Sequence, residues 1–341
     1  MAKPIPDVEP VTSARFDLSI RRISCTFGLF VFAFAVLRSA VQQIAQGEGL
    51  PMRLGPYDTS NINVRSSGGG GGMGRAGGIG CGTLVIALIG AVFFGLDPMQ
   101  TIGMVEGVQQ QAGPVQGGAR SALSETEVCG QSAYATEACN ALTSLNATWD
   151  VTFARNNIPF DQPFLDLYRD GRVTTEGCGS ATSAAGPFYC PADKGIYIDT
   201  SFYDQLAQMS GTGGDFARLY VIAHEYGHHI QTITGLSPQV RQAQQRNPAQ
   251  ANRLQVAMEL QADCFAGMWA GKNRDKIEPG DLEEGLKAAS AIGDDTLMRN
   301  AGRSINPESF THGTSRQRVA ALKLGLESRD DNACDVFFEG G

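Results

Sequence analysis

Two histidines four residues apart inside an amphipathic stretch constrain this chain more than any other feature. Between Gly214 and Gly235, the residues Phe216, Leu219, Tyr220, Ala223, Gly227 and Ile230 recur at helical spacing, and Gly235 supplies a stop signal. The segment His224-Glu225-Tyr226-Gly227-His228 falls inside that helix. Side chains at i and i+4 share one face a turn apart, so both imidazoles can reach a single Zn²⁺ at about 2.0–2.1 Å. Glu225, next to the first ligand, then reaches the metal's water, where a general base is needed. The chain has only 4 histidines, which makes a chance match rare. The competing reading of the same residues is a histidine-rich surface helix.

A catalytic zinc needs a third protein ligand. The metzincin arrangement, with a glycine three and a histidine six residues past His228, is excluded because Gln231 and Thr234 stand there. Downstream, Asn252 to Gly271 forms a second helical stretch with Leu254, Met258, Phe265 and Trp269 available for packing. Glu259 and Asp263 lie at i and i+4 on it, far enough past His228 for a loop through Pro238 and Pro248 and an antiparallel return. Glu259 can be the carboxylate ligand, and Asp263 the acceptor that fixes a ligand histidine's tautomer. The bland alternative for this pair is a solvated helix face. His229 lies about 100° around the helix from His228 and is assigned a structural or supporting role. His312, in a loop-like run from Ser309 to Ser315, suits either stabilisation of a developing oxyanion or an N-cap or loop hydrogen bond before the next helix.

Nine of the chain's 42 glycines fall between Gly68 and Gly80, which marks a linker. The formal charge is −8, and its acidic excess lies beyond residue 100, so nucleic acid is not an expected partner. Gly77 to Leu96 is an apolar run without a charge, long enough to span a bilayer and closed by Asp97-Pro98. Arg53, Arg65 and Arg75 precede it and Arg120 is the first basic residue after it, which puts its N-terminal side in the cytoplasm. Residues 23–37 are a shorter apolar run behind Arg21-Arg22. Inserting it as well would force Arg38 to Arg75 outside, against the charge bias. Either residues 1–51 are an upstream extension with Met52 the working start, or they hold a cleaved twin-arginine signal.

Of 8 cysteines, Cys25 and Cys81 lie in the apolar segments. The other six read as disulfides of an exported domain, the alternative being reduced cytosolic thiols. Short separations favour Cys129 with Cys139 and Cys178 with Cys190, leaving Cys264 and Cys334 as the remainder among several connectivities. Gly186 to Asp199 reads as two short strands around a turn, an edge that suits an extended peptide. Gly280 to Glu284 starts a helix with Asp281 as cap and Glu284 in the reciprocal position.

These residues resemble the bacterial neutral zinc metallopeptidase family, membrane-anchored by one span and of gluzincin type. The likeness runs from Met52-Arg53, Ser60-Asn61 and Val64-Arg65 through Phe93 to Pro98, Gly186 to Pro191, Gly213 to Ala217 and Ala223 to Gln231. It continues through Glu259 to Gly267, Ala291 to Asp295, and Ser309 to Ser315 with Arg318. The resemblance implies His224, His228 and Glu259 as zinc ligands, Glu225 as catalytic residue, and a start at Met52.

The expected fold is α+β and zincin-like, mainly helical with a small antiparallel sheet, preceded by one transmembrane helix. The expected plan sets residues 1–51 apart as an extension or signal-like segment, 52–76 as a cytoplasmic Gly/Arg-rich segment, and 77–96 as the span in the lipid bilayer. A flexible linker follows at 97–128 and a peptidase domain at 129–338. The expected activity is hydrolysis of a protein or peptide substrate on the outer side of the inner membrane. The alternatives are a silent scaffold or binding protein and a zinc hydrolase acting on a non-peptide amide of the cell wall.

Overall fold

Residues Phe164–Tyr168 and Gly195–Asp199 are buried at all five positions of each, as the middle strands of a sheet covered on both faces must be. The computed structural model describes residues 54–67, 123–169 and 171–338. Within them Val64–Ser66 (β1), Phe164–Tyr168 (β2), Phe188–Cys190 (β5) and Gly195–Asp199 (β6) make a sheet in the order β1-β2-β6-β5. Arg172–Thr174 (β3) and Ser180–Thr182 (β4) pair separately. The β5–β6 hairpin is the one expected between Gly186 and Asp199.

The sheet is mixed rather than antiparallel. β1 pairs with β2 in parallel, and so does β2 with β6. Parallel neighbours come from distant parts of the chain, so local alternation and turn residues do not announce them.

Nine α-helices carry the rest of the described residues: Glu125–Cys129 (α1), Ala133–Arg155 (α2), Phe202–Ser210 (α3), Asp215–Ile233 (α4), Leu236–Arg246 (α5), Ala251–Lys272 (α6), Asp281–Ala291 (α7), Asp294–Asn300 (α8) and Ser315–Ser328 (α9). The two expected long helices are thus α4 and α6. Ser124 caps α1 through a capping box with Glu127, so the helical part of the domain includes residues before the expected edge at Cys129. At α7 the cap is Gly280, not Asp281. Asp281 is the first helical residue, and its carboxylate instead accepts the Glu278 N–H at 2.7 Å.

Small residues set the helix spacing that the site depends on. A Cβ on Gly227 of α4 would lie 2.9 Å from the Ala262 Cα and 3.0 Å from its carbonyl oxygen, so only glycine lets α4 and α6 approach this closely. On the other side of α6, a Cβ on Gly325 of α9 would meet the Cys264 carbonyl oxygen at 1.9 Å. Trp149, Trp269, Tyr220 and Tyr226 fill the core around these contacts and are almost wholly buried.

Three disulfides link Cys129 to Cys139, Cys178 to Cys190 and Cys264 to Cys334. The last ties α6 to a C-terminal 3-10 segment, Asp331–Phe337.

The described residues all fall within one unit, Glu48–Gly341. Residues 54–67 are part of it, because β1 pairs with β2 and Ile62 and Val64 are buried in its core. The expected division of 52–76 from the domain therefore does not hold for 54–67. The apolar runs at 23–37 and 77–96 and most of the 97–128 linker lie outside the described residues. Among the described residues no helix is long and apolar enough to cross a membrane.

Candidate metal centre

α4 and α6 bring His224, His228 and Glu259 together. The His224 Nε2 lies 3.2 Å and the His228 Nε2 3.6 Å from Oε2 of Glu259. Two ligand atoms about 2.1 Å from one ion at a tetrahedral angle stand roughly 3.4 Å apart, so the spacing fits a zinc-sized ion. The donor set also fits, with two imidazole nitrogens and one carboxylate oxygen within 4.8 Å of one another and a cavity beside them.

Each donor is held by a hydrogen bond on its far side. The Nδ1 of His224 donates to Asp263 Oδ1 at 2.8 Å, which leaves its Nε2 for metal. The Nδ1 of His228 donates to Gln231 Oε1 at 2.8 Å with the same effect. Gln231 is itself fixed, since its Nε2 donates to the Met258 carbonyl at 2.7 Å and to Gln261 Oε1 at 3.0 Å. Gln255, one turn before Glu259, donates to Glu259 Oε1 at 2.9 Å. The other carboxylate oxygen of Glu259 is the one that faces the histidines.

Beneath this layer Asp263 is wholly buried and charged. Arg318 of α9 donates to its two oxygens at 2.8 and 2.9 Å, and Tyr220 donates to Oδ1. Burial alone raises a carboxyl's pKa, but here Arg318 and His224 outweigh it and bring Asp263 down to about 2. Burial likewise opposes charge on His224, and Asp263 overcomes it, lifting the metal-free imidazole to about 9. A proton and a metal ion therefore compete for His224. Glu225 is buried beside the pair, and burial raises its carboxyl despite the nearby histidines.

Glu225, His312, Tyr189 and Phe188 line the same cavity as the three ligands. His312 does not cap a helix. Thr314 caps α9 through a capping box with Gln317, whereas the Nδ1 of His312 pairs with Asp294 Oδ1 at 3.1 Å. Asp294 Oδ2 accepts the backbone N–H groups of Thr311, His312 and Gly313 at 2.8, 2.7 and 3.0 Å. That carboxylate fixes both the loop and the ring, and His312 lines the cavity.

His229 stays away from the metal position. Its Nε2 donates to the Asp161 carbonyl at 2.6 Å and its Nδ1 accepts the Tyr189 hydroxyl at 3.2 Å, so it pins β5 to α4. Burial drives its pKa down to about 4, consistent with a neutral structural ring. Sequence reasoning assigned no role to Gln231, Gln255, Tyr220, Arg318 or Asp294. For Gln231 and Gln255 a signal was present: they stand three residues after His228 and four before Glu259, on the ligands' own helix faces.

His224 and His228 of α4 and Glu259 of α6 form a two-histidine, one-carboxylate cluster that could hold a metal ion. Residues 57–337 match the family described as "Putative neutral zinc metallopeptidase", and the chain belongs to that family. The Escherichia coli K12 "Uncharacterized protein YpfJ" is 49% identical over 199 residues, covering 58% of this chain and 69% of that protein. The Mycobacterium tuberculosis H37Rv "Uncharacterized protein Rv2575" is 40% identical over 191 residues, covering 52% of this chain and 63% of that protein. No solved structure matches.

Proposed function

We propose that this chain is a zinc-dependent peptidase of the HExxH gluzincin type, with His224, His228 and Glu259 as ligands and Glu225 as general base and acid. The observation that carries this reading is Glu225 itself. It is a buried carboxyl with a raised pKa that lines the same cavity as the three ligand residues, and a purely structural metal site has no use for it.

Zinc, when bound, supplies Lewis acidity that lowers the pKa of water and polarises a carbonyl. Glu225 takes a proton from the attacking water and returns it to the leaving amine, a double duty favoured by a carboxyl tuned towards neutral pH. His312, held through Nδ1–H on Asp294, can in its protonated form donate Nε2–H to the oxyanion that develops on the substrate. β5 has β6 on one side only and its residues line the cavity, so its free edge can hold an extended peptide by main-chain hydrogen bonds.

The three disulfides support an oxidising, extracytoplasmic location for the domain. The purified chain should be tested on unfolded protein, on short peptides and on cell-wall fragments, with and without chelator. Chelator-sensitive cleavage of peptide bonds, restored by zinc, supports the reading. Cleavage confined to the cell-wall fragments, or none, contradicts it.

A further inference from the structure

Residues 54–67 are wired into the helix that carries the metal ligands. In β1, Val64, Arg65 and Ser66 stand opposite Leu165, Asp166 and Leu167 of β2. Beyond the strand, Ser67 donates its N–H and its hydroxyl to the Asp166 carboxylate at 3.0 and 2.7 Å. The Arg65 guanidinium lies 3.8 Å from the centre of the Phe164 ring.

A deeper connection runs from Tyr226, which stands between Glu225 and Gly227. Its hydroxyl donates to Asn146 Oδ1 at 2.7 Å. Asn146, fully buried on α2, donates in turn to the Asn61 carbonyl at 2.7 Å and to Gln162 Oε1 at 3.1 Å. Gln162 closes the circuit by donating to Asn61 Oδ1 at 2.8 Å. Asn61 is therefore two hydrogen bonds away from the metal-binding motif. Detaching the segment would cost buried Asn146 its acceptor on Asn61 and would expose the apolar surface of Ile62 and Val64.

A strand and the sheet it completes occupy one aqueous compartment. We propose that residues 54–67 lie on the same side of the membrane as residues 123–338, as a built-in part of the metal-bearing domain. That placement is at odds with the expectation that the apolar run 77–96 crosses the bilayer as a single span between the two segments. The arginines before that run set the opposite expectation, but Arg65 is engaged inside the fold.

The test uses the full chain in bacterial cells with Cys25 and Cys81 replaced by serine. Single thiols are introduced as T59C or R246C, both at exposed positions. A membrane-impermeant maleimide is applied before and after lysis. Both thiols labelled before lysis, or both protected until lysis, supports the proposal; one labelled and the other protected overturns it. A second variant, R65C/D166C, puts thiols at facing positions of β1 and β2. On oxidation it should form a crosslink that survives proteolytic cutting between residues 68 and 122. Two separate fragments overturn the strand pairing on which the proposal rests.

Discussion

Arg318 grips Asp263 through both carboxylate oxygens, at 2.8 and 2.9 Å, directly behind the imidazole of His224. The ion pair is buried on both sides, and it sets the charge that His224 meets on the face turned away from the metal. An unpaired charge at such a site is far worse than no charge at all. R318M should lower stability by about 3–5 kcal/mol and weaken zinc retention. The double variant D263N/R318M should recover part of that stability. A double-mutant cycle by chemical unfolding checks this, and simple additivity of the two changes would contradict it.

Gln231 is the corresponding support for His228. Q231L keeps the approximate volume and removes the acceptor for Nδ1. Loss of such a support typically weakens metal binding by about 10–100-fold. Competition with a zinc chelator measures this directly, and unchanged affinity would show that His228 is oriented by packing alone.

Stability should fall with rising pH through an acidic trio, Asp215 at the start of α4 with Asp281 and Glu284 at the start of α7. Glu284 and Asp281 are raised by burial, and then by Asp215, to about 7 and about 6. A carboxyl whose pKa is higher in the folded state binds more protons there than when unfolded, so its contribution is greatest at low pH. It is lost as pH rises from the ordinary carboxylate range towards about 7. E284Q should flatten the decline in melting temperature between roughly pH 5 and 8. An identical slope in both proteins would rule out Glu284 as its source.

His312 should matter for turnover and not for metal. H312Q is expected to keep its zinc and to lower kcat by a factor on the order of 10²–10³, the usual effect of removing an oxyanion donor. Steady-state kinetics beside metal analysis separates this from a loop role, in which KM would change and kcat would not.

Much of this site was legible in the sequence because helical spacing is a local rule. His224 and His228 share a face by being four apart, and Glu259 and Asp263 do the same on α6. The hairpin at Phe188–Asp199 and the three cysteine pairs were readable for a similar reason, namely short separations with one remainder. What escaped were long-range partners. Arg318 reaches Asp263 from 55 residues away, and β1 reaches β2 across about a hundred. Neither pairing leaves a periodic trace, and the glycines at 227 and 325 that permit the helix contacts look like helix weaknesses until their neighbours are seen.

In the proposed mechanism Glu225 performs proton transfer at a zinc site it does not help to build. Replacing it by glutamine, E225Q, keeps the shape and removes the base. Zinc content and peptide-bond cleavage measured on the same preparation give the answer. A full zinc complement with turnover reduced on the order of 10²–10⁴-fold is the predicted result; undiminished cleavage by a zinc-loaded E225Q protein would contradict it.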